Sequence, residues 1–336
     1  MPRYAILQNP GHNRVYFKTA RQLALLELSF AGRRMSAPPE DAREELVGGL
    51  PYILFDTDSR LTDADIRLLS RLSFVYGIFE WESKGALLPL EKAAAYYFES
   101  DDITTILKYN GKTNELFTRL MLNIAVLAGG NTDCLHVLDP LCGKGTSLFE
   151  ALLNGYSVSG VESDSKMLQE SYNFLKKYLE NARYKHTSHQ ERQGMKDYNA
   201  QRYQLTLSRD KTDKNPLTAE LIAGDTRDMA QFFRKNTFDA IIGDLPYGVQ
   251  HGSKGGKTES RNALPLLKAA LPGWHKVLKP GAALVLAWNL FLIDRDEMED
   301  ALESGGFEPD HSQRAAFVHR VDQAIKRDLI VAIKVN

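Results

Sequence analysis

Residues 134–162 read CLHVLDPLCGKGTSLFEALLNGYSVSGVE, and the order of structures in this stretch decides the fold. The apolar run 135–138 is too short for a helix and predicts a buried strand that stops at Asp139-Pro140. Gly143 and Gly145 follow, and glycine lets a backbone turn sharply and approach a ligand closely. The sequence therefore predicts a strand that leads into a ligand-binding turn.

The same stretch continues with a helix and a second strand. Thr146 or Ser147 is placed to cap the helix, and Gly155 ends it. Residues 157–161 predict a strand that finishes on Glu162, whose carboxylate can accept both hydroxyls of a ribose. Strand, glycine loop, helix, strand and acid together predict a nucleotide-binding βαβ unit.

The glycine spacing narrows the choice of cofactor. It lacks the three-glycine dinucleotide fingerprint, and no Gly-Lys-Ser/Thr stands at the distance that a P-loop requires. The stretch resembles motif I of class I S-adenosylmethionine-dependent methyltransferases, in the D-P-x-C-G-x-G-T form of enzymes that methylate exocyclic amines of nucleic acids. An ordinary strand-to-helix turn in another doubly wound protein is the alternative at this point.

Composition sets limits on partners and compartment. The 336 residues include 42 basic and 43 acidic side chains, so any nucleic-acid surface must be local. Cys134 and Cys142 are too few for a disulfide framework, which fits a reducing compartment. The first residues show no signal peptide or membrane-spanning run, and we expect a cytoplasmic protein.

Residues 1–97 are predicted to form a separate small α+β domain, for substrate recognition or for packing. Strands are expected at 4–7 and 15–17, and helices at 20–30 and 63–70, the second capped by Thr62. Up to Asn110 this region carries 13 basic and 15 acidic residues, which is an ordinary solvated surface.

Residues 98–336 are predicted to form the methyltransferase domain. Apolar residues from Leu116 to Leu127 recur at helical spacing, which by itself indicates a core helix. The family resemblance places the loop before it, Lys112, Thr113 and Asn114, at the mouth of the cofactor pocket.

A basic insertion at 176–214 interrupts the regular pattern. It holds ten Lys or Arg against five Asp or Glu, with Tyr178, Tyr184, Tyr198 and Tyr203 interleaved. Cations can neutralise phosphates and tyrosines can stack on bases, so the insertion predicts contact with RNA, although a solvated excursion is the alternative. His186 and His189 lack further ligands nearby, and we expect no metal.

Strands and helices then alternate to the C-terminus, which predicts a parallel, doubly wound α/β sheet of Rossmann type. One strand ends at Gly224-Asp225-Thr226, where the resemblance implies contact with adenine. Another ends in Asp244-Leu245-Pro246-Tyr247-Gly248. Asp244 and the Leu245 carbonyl can accept the two hydrogens of an exocyclic amine, and Tyr247 can stack on its base.

The pair of motifs resembles the RNA guanine-N2 methyltransferase group, including the THUMP-linked tRNA enzymes, although residues 1–97 lack a basic THUMP-like sequence. The resemblance implies S-adenosylmethionine as cofactor, no metal, and RNA contact through 176–214 and the loop 249–261. Catalysis is implied for Asp244, Pro246 and Tyr247. Cofactor binding is implied for Asp139, Pro140, Cys142, Gly143, Gly145, Thr146, Glu162, Ser163, Gly224, Asp225, Thr226 and Asp244.

Three other functions remain open. An adenine-N6 methyltransferase acting on DNA or RNA and a protein-glutamine methyltransferase share this chemistry, and a binding module could retain the cofactor fold without turnover. The Asp at the first position of Asp-Leu-Pro-Tyr-Gly and the trailing Gly-Lys loop favour guanine.

Overall fold

The computed structural model describes residues 1–11, 14–82, 85–91, 96–109, 111–130, 135–209, 213–246 and 263–335. Its helices are α1 (Arg14–Gly32), α2 (Asp63–Ser70), α3 (Asp102–Thr105), α4 (Glu115–Gly129), α5 (Thr146–Leu153), α6 (Ser165–Asn181), α7 (Met229–Phe232), α8 (Leu264–Val277) and α9 (Arg295–Ser304). Its strands are β1 (Arg3–Gln8), β2 (Glu40–Val47), β3 (Leu50–Asp56), β4 (Val75–Trp81), β5 (Leu87–Leu90), β6 (His136–Asp139), β7 (Ser157–Glu162), β8 (Lys185–Gly194), β9 (Asn199–Ser208), β10 (Leu217–Ala223), β11 (Phe238–Asp244), β12 (Leu278–Asn289), β13 (Phe307–Pro309), β14 (His319–Arg320) and β15 (Lys326–Lys334).

The N-terminal part is an antiparallel sheet in the order β2-β3-β1-β4-β5. Thr62 caps α2 in a capping box with Asp65, as the sequence predicts. The prediction of a strand at 15–17 is wrong, because α1 extends over these residues. A three-residue apolar run fits the spacing of a helix as well as that of a strand.

The larger sheet runs in the order β13-β15-β12-β11-β6-β7-β10-β9-β8, with β14 beside β15. Its centre, β10-β7-β6-β11-β12, is parallel, which confirms the α/β Rossmann-like class. Both flanks are antiparallel, which the prediction of a parallel doubly wound sheet did not include: β15 reverses against β12, and the insertion forms a hairpin, β8–β9, that extends the sheet beyond β10.

One hydrophobic core joins the two sheets. Buried side chains of α1, among them Leu23 and Leu28, belong to the same cluster as Phe117 and Leu120 of α4. Helix α4 lies against β11 and β12, so it connects the N-terminal part to the strands whose ends carry the predicted site. The division at residue 97 stays a prediction.

Candidate functional site

The glycine loop after β6 has the conformation that the sequence predicts. Gly143 and Gly145 have φ of 52° and 86°, in the left-handed region that favours glycine. The Cys142 amide donates to the Val161 carbonyl at 3.0 Å, which fixes the loop against β7. A Cβ on Gly145 would lie 2.6 Å from Ser171 Oγ, so no other residue fits without a shift.

The start of α5 differs from the prediction. Gly145 occupies the N-cap position, and neither Thr146 nor Ser147 caps the helix. Ser147 Oγ instead donates a hydrogen bond to Asp139 Oδ2, and Thr146 Oγ1 bonds the Tyr109 hydroxyl at 2.9 Å. With Gly145 at the N-cap, both hydroxyls lie inside the first turn of α5, and only that of Ser147 reaches a strand end.

Asp139, at the end of β6, is a buried carboxyl group with unusual acidity. Burial raises its pKa to about 7, and the negative charges of Asp244 and Glu162 act in the same direction. Hydrogen bonds from Ser147 and from the Leu141 amide oppose this rise. Three carboxyl groups from three adjacent strands are therefore gathered at one edge of the sheet.

Glu162 closes β7, as predicted, and holds the loop. Its Oε2 accepts the Gly143 amide at 3.1 Å, and its Oε1 accepts Ser163 Oγ at 3.1 Å and the Asp164 amide at 2.8 Å. A carboxylate has about four acceptor positions, so these three donors leave the half-exposed Glu162 about one position for a ribose hydroxyl. This carboxylate acceptor fits the ribose of an adenosine-containing cofactor.

The third strand end, after β10, places Gly224 beside Glu162. The Gly224 amide donates to the Glu162 carbonyl at 2.9 Å. Asp225 Oδ1 accepts the Arg227 amide at 2.9 Å, and its carboxylate forms a close ion pair with the Arg227 guanidinium. The side chain predicted to contact adenine is thus shared with Arg227 in this structure.

Tyr198, in the turn of the β8–β9 hairpin, also reaches this strand end. Its hydroxyl accepts the Asp225 amide at 3.0 Å and donates to Asp228 Oδ2 at 2.8 Å. Thr226 is buried and accepts Trp274 Nε1 at 2.9 Å. This role of Tyr198 was not predicted, because its hydrogen-bond partners lie 27 and 30 residues away in the sequence.

Asp244, at the end of β11, is held from two sides through the same oxygen. Thr113 Oγ1 donates to Asp244 Oδ2 at 2.7 Å, and the Arg327 guanidinium lies 3.6 Å from it. Arg327 is buried and stacks on the Phe117 ring at 4.5 Å. Arg327 was not predicted as a site residue, since nothing in its local sequence distinguishes it from an ordinary strand-end cation.

His319 lies opposite Arg327 in the β14–β15 pair. Its Nδ1 bonds the Phe317 carbonyl at 2.9 Å, and because a carbonyl only accepts, we assign the hydrogen to Nδ1. Burial lowers the His319 pKa to about 4, so the ring is neutral near pH 7. Its Nε2 is a buried acceptor with no hydrogen-bond partner among the described residues.

The remaining predicted residues fall into three groups. Leu245 is buried and its amide donates to the Ala287 carbonyl at 2.9 Å, while Pro246 is exposed. Pro140 and the buried Cys142 thiol belong to the glycine loop, and burial raises the pKa of Cys142 well above its usual range. Tyr247 and the loop 249–261 lie outside the described residues, as does Cys134.

Of the three residues that precede α4, only Thr113 reaches the candidate catalytic carboxylate. Asn114 caps the helix, with its Oδ1 accepting the amides of Leu116 and Phe117. Lys112 lies 3.7 Å from Glu115.

The tyrosines of the insertion contact other parts of the protein: Tyr203 is buried, Tyr178, Tyr184 and Tyr198 are partly buried, and stacking on bases stays a prediction. Tyr178 donates to Asp102, the Tyr184 hydroxyl accepts the Glu99 amide, and Tyr203 is buried against Tyr172. The Tyr198 hydroxyl bonds residues that follow the end of β10, as described above. The exposed face of the hairpin is charged and polar rather than aromatic.

The described part of the chain holds neither a metal-binding cluster nor a membrane-spanning helix. Within it, no group of three or more His, Cys, Asp or Glu side chains is arranged to hold a metal ion. None of the helices described there has the length and apolarity needed to cross a bilayer.

Comparison with known proteins gave a family match and several more distant similarities. A sequence model of the RMKL-like methyltransferase domain family matches residues 107–314. A tRNA (guanine(10)-N2)-dimethyltransferase of Methanothermobacter thermautotrophicus is 26% identical over 179 residues, which are 53% of this chain and 39% of that protein. The chain thus spans about two fifths of the length of this curated relative.

Two solved structures are similar at low identity. TrmN from Thermus thermophilus has a TM-score of 0.42 and 15% identity, covering 88% of this chain and 59% of that one. TehB from Haemophilus influenzae has a TM-score of 0.40 and 12% identity, covering 86% of this chain and 72% of that one.

Proposed function

Because the chain belongs to the RMKL-like methyltransferase domain family, we propose that it methylates an exocyclic amine of an RNA base, with N2 of guanine in tRNA as its target. It is an S-adenosylmethionine-dependent methyltransferase with a Rossmann-like sheet. The choice of guanine and tRNA is supported by the Asp-Leu-Pro-Tyr-Gly sequence at 244–248 and by the name of the archaeal relative. A cytoplasmic location is part of this proposal.

The cofactor is proposed to lie along the edge formed by the ends of β6, β7 and β10. Gly143 and Gly145 keep the loop free of side chains, Glu162 offers an acceptor to the ribose, and Gly224 to Thr226 form the adenine end. When bound, S-adenosylmethionine supplies a methyl group on a positively charged sulfur. The carboxyl groups of Asp139 and Glu162 make this edge suitable for a cation.

Asp244 is proposed to orient the amine that is methylated. The lone pair of an exocyclic amine is delocalised into the ring, so the amine is a weak nucleophile. A carboxylate that accepts an amine hydrogen favours rehybridisation and directs the lone pair out of the ring plane. Thr113 and Arg327 hold the carboxylate through Oδ2, which fixes its direction before the substrate binds.

The observation that carries the proposal is the convergence of Asp244 with Asp139 and Glu162 at adjacent strand ends. This convergence supports the proposal that the carboxylate which orients the amine lies next to the cofactor edge. Stacking of the base by Tyr247 and RNA contacts from 176–214 and 249–261 remain proposals.

The test is single-turnover transfer of a labelled methyl group to unmodified tRNA at saturating cofactor. We expect Asp244→Ala to lower the rate about a hundred- to a thousand-fold, with cofactor affinity nearly unchanged. Asp244→Asn should retain more activity, since its carbonyl still accepts one hydrogen bond. Asp300→Ala, which removes an exposed aspartate from α9, is the matched control. Equal rates for Asp244→Ala and the parent would overturn the proposal.

A further inference from the structure

A cavity of about 600 Å³ lies between α2 and the C-terminal end of α4. Its described lining includes three arginines, Arg34, Arg67 and Arg71, together with Tyr156. We call it the arginine cleft and propose that it binds a phosphate of the RNA substrate, with the adjoining nucleoside against its apolar wall. This inference rests on the proposed function and adds a second point of contact for the RNA.

The charge of the cleft favours an anion. Within the described residues, none of the three arginines forms an ion pair. Asp65 is the one acidic side chain among the described lining residues, and it is buried. Burial acts to raise its pKa, but hydrogen bonds from Ser36 and Thr62 outweigh that effect and lower it. Asp65 therefore offsets one of the three positive charges and leaves an excess of two.

Two of the arginines are already oriented by the protein. Arg34 Nε donates to the Leu127 carbonyl at 3.0 Å, and one terminal nitrogen of Arg71 donates to the Tyr156 hydroxyl at 3.0 Å. A guanidinium has five N–H donors in a planar fork, so each keeps donors for a phosphate. Arg67 is exposed on α2. Fixed guanidinium groups bind phosphate with little loss of side-chain entropy.

The size and walls of the cleft fit more than a phosphate ion. Leu68 of α2 and Leu72, two residues after that helix, line the cavity together with Val126 and Leu127 of α4. An apolar wall beside a cationic one matches a nucleotide, whose base and sugar are less polar than its phosphate. A free nucleotide carries the same phosphate, sugar and base as a nucleotide of the RNA substrate. The experiment below therefore distinguishes RNA from a free nucleotide.

The position of the cleft relative to Asp244 suits a long substrate. Helix α4 has 15 residues and is therefore about 22 Å long. Thr113, which touches Asp244, precedes its first turn, and the cleft lies at its last turn. A nucleic-acid duplex covers about 20 Å in roughly six base pairs, so one stem can reach both places.

The experiment compares charge reversal in the cleft with a matched reversal elsewhere. The test variant is Arg34→Glu/Arg67→Glu, and the control is Arg43→Glu/Arg60→Glu, two arginines of the N-terminal sheet region that lie near Glu45 and Glu80. Affinity for unmodified tRNA is measured between about 50 and 200 mM salt. We expect the slope of log affinity against log salt to flatten by about two in the test variant and by less than one in the control.

A second readout uses substrate length. For tRNA, the test variant should raise KM at least about tenfold with little change in kcat. For a guanine-containing trinucleotide, which is too short to reach from Asp244 to the cleft, both constants should stay at the parent values. Arg67→Glu alone, which removes no described hydrogen bond, repeats the test if the double variant does not fold.

The outcomes separate this inference from the proposed function. If the parent binds and methylates tRNA but the test variant keeps the parent salt slope, the cleft inference fails and the proposed function stands. If the parent neither binds nor methylates RNA, both fail. Calorimetric titration with guanosine monophosphate completes the experiment. If the parent binds this nucleotide and the test variant does not, while both have the same salt slope for tRNA binding, the cleft is a free-nucleotide site and RNA contact there is overturned.

Discussion

Asp139→Asn should make the protein more stable and change how its stability depends on pH. Burial and two neighbouring carboxylates raise the Asp139 pKa from 3.8 to about 7. The folded protein therefore binds more protons than the unfolded chain between about pH 4 and 7, and the free energy of unfolding falls as pH rises through that window. Asn carries no charge, so the variant should lack this contribution.

The size of the effect follows from the same pKa. A difference of about three pKa units, at about 1.4 kcal/mol each, is a cost of about 4 kcal/mol above pH 7 and about 2 kcal/mol at pH 5. The Asn carbonyl can still accept the Leu141 amide, and its amide group can donate to Ser147, so the hydrogen bonds survive. The variant's advantage should thus grow with pH, to at most about 4 kcal/mol.

The assay is urea unfolding of the cofactor-free protein at pH 5 and pH 8, compared with calorimetric titration of the cofactor. Stability should rise while cofactor affinity falls, because the removed charge lies beside Glu162 and Asp244. A variant that is less stable than the parent at pH 8, or that keeps the parent's pH dependence, would refute this account of Asp139.

Two further predictions concern the loop and the core. Gly145→Ala should lower the free energy of unfolding by about 2–5 kcal/mol, since its φ is strained for alanine and its Cβ would meet Ser171. The control is Gly155→Ala, which has a φ of 80° and open space around it and should cost only about 1–2 kcal/mol. Equal losses of the two variants in urea titration would contradict the steric argument. Arg119→Leu should lower the free energy of unfolding by about 3–5 kcal/mol, because it leaves the Glu150 carboxylate buried without its guanidinium partner. The double variant Arg119→Leu/Glu150→Leu should recover part of that loss in the same assay.

Local sequence patterns predicted the parts of the fold in which a local rule decides the structure. The capping box at Thr62, the turn at Gly143 and Gly145, and the strand that ends at Asp244 all follow from residues within a few positions of one another. Strand β2 has the sequence EDAREELV, in which apolar and polar residues do not alternate as in an ordinary half-buried strand. It is formed by pairing with β3 at the edge of the sheet.

The contacts that complete the site are between residues distant in sequence, and for that reason they were not predictable. Thr113 and Asp244 are 131 positions apart, and their hydrogen bond depends on how α4 packs against β11. Likewise, Arg34 and Arg67 belong to a region whose charges balance overall, yet the fold brings them to one cleft. Composition reports the average charge of a segment but not which cations share a surface.

The most direct test of the central claim is mass spectrometry of nucleosides from unmodified tRNA after incubation with the purified protein and S-adenosylmethionine that carries a deuterated methyl group. We expect the label in N2-methylguanosine, and a loss of about a hundred-fold or more when Asp244→Ala replaces the parent. Label in N6-methyladenosine, or label in protein with none in RNA, would contradict methylation of guanine N2.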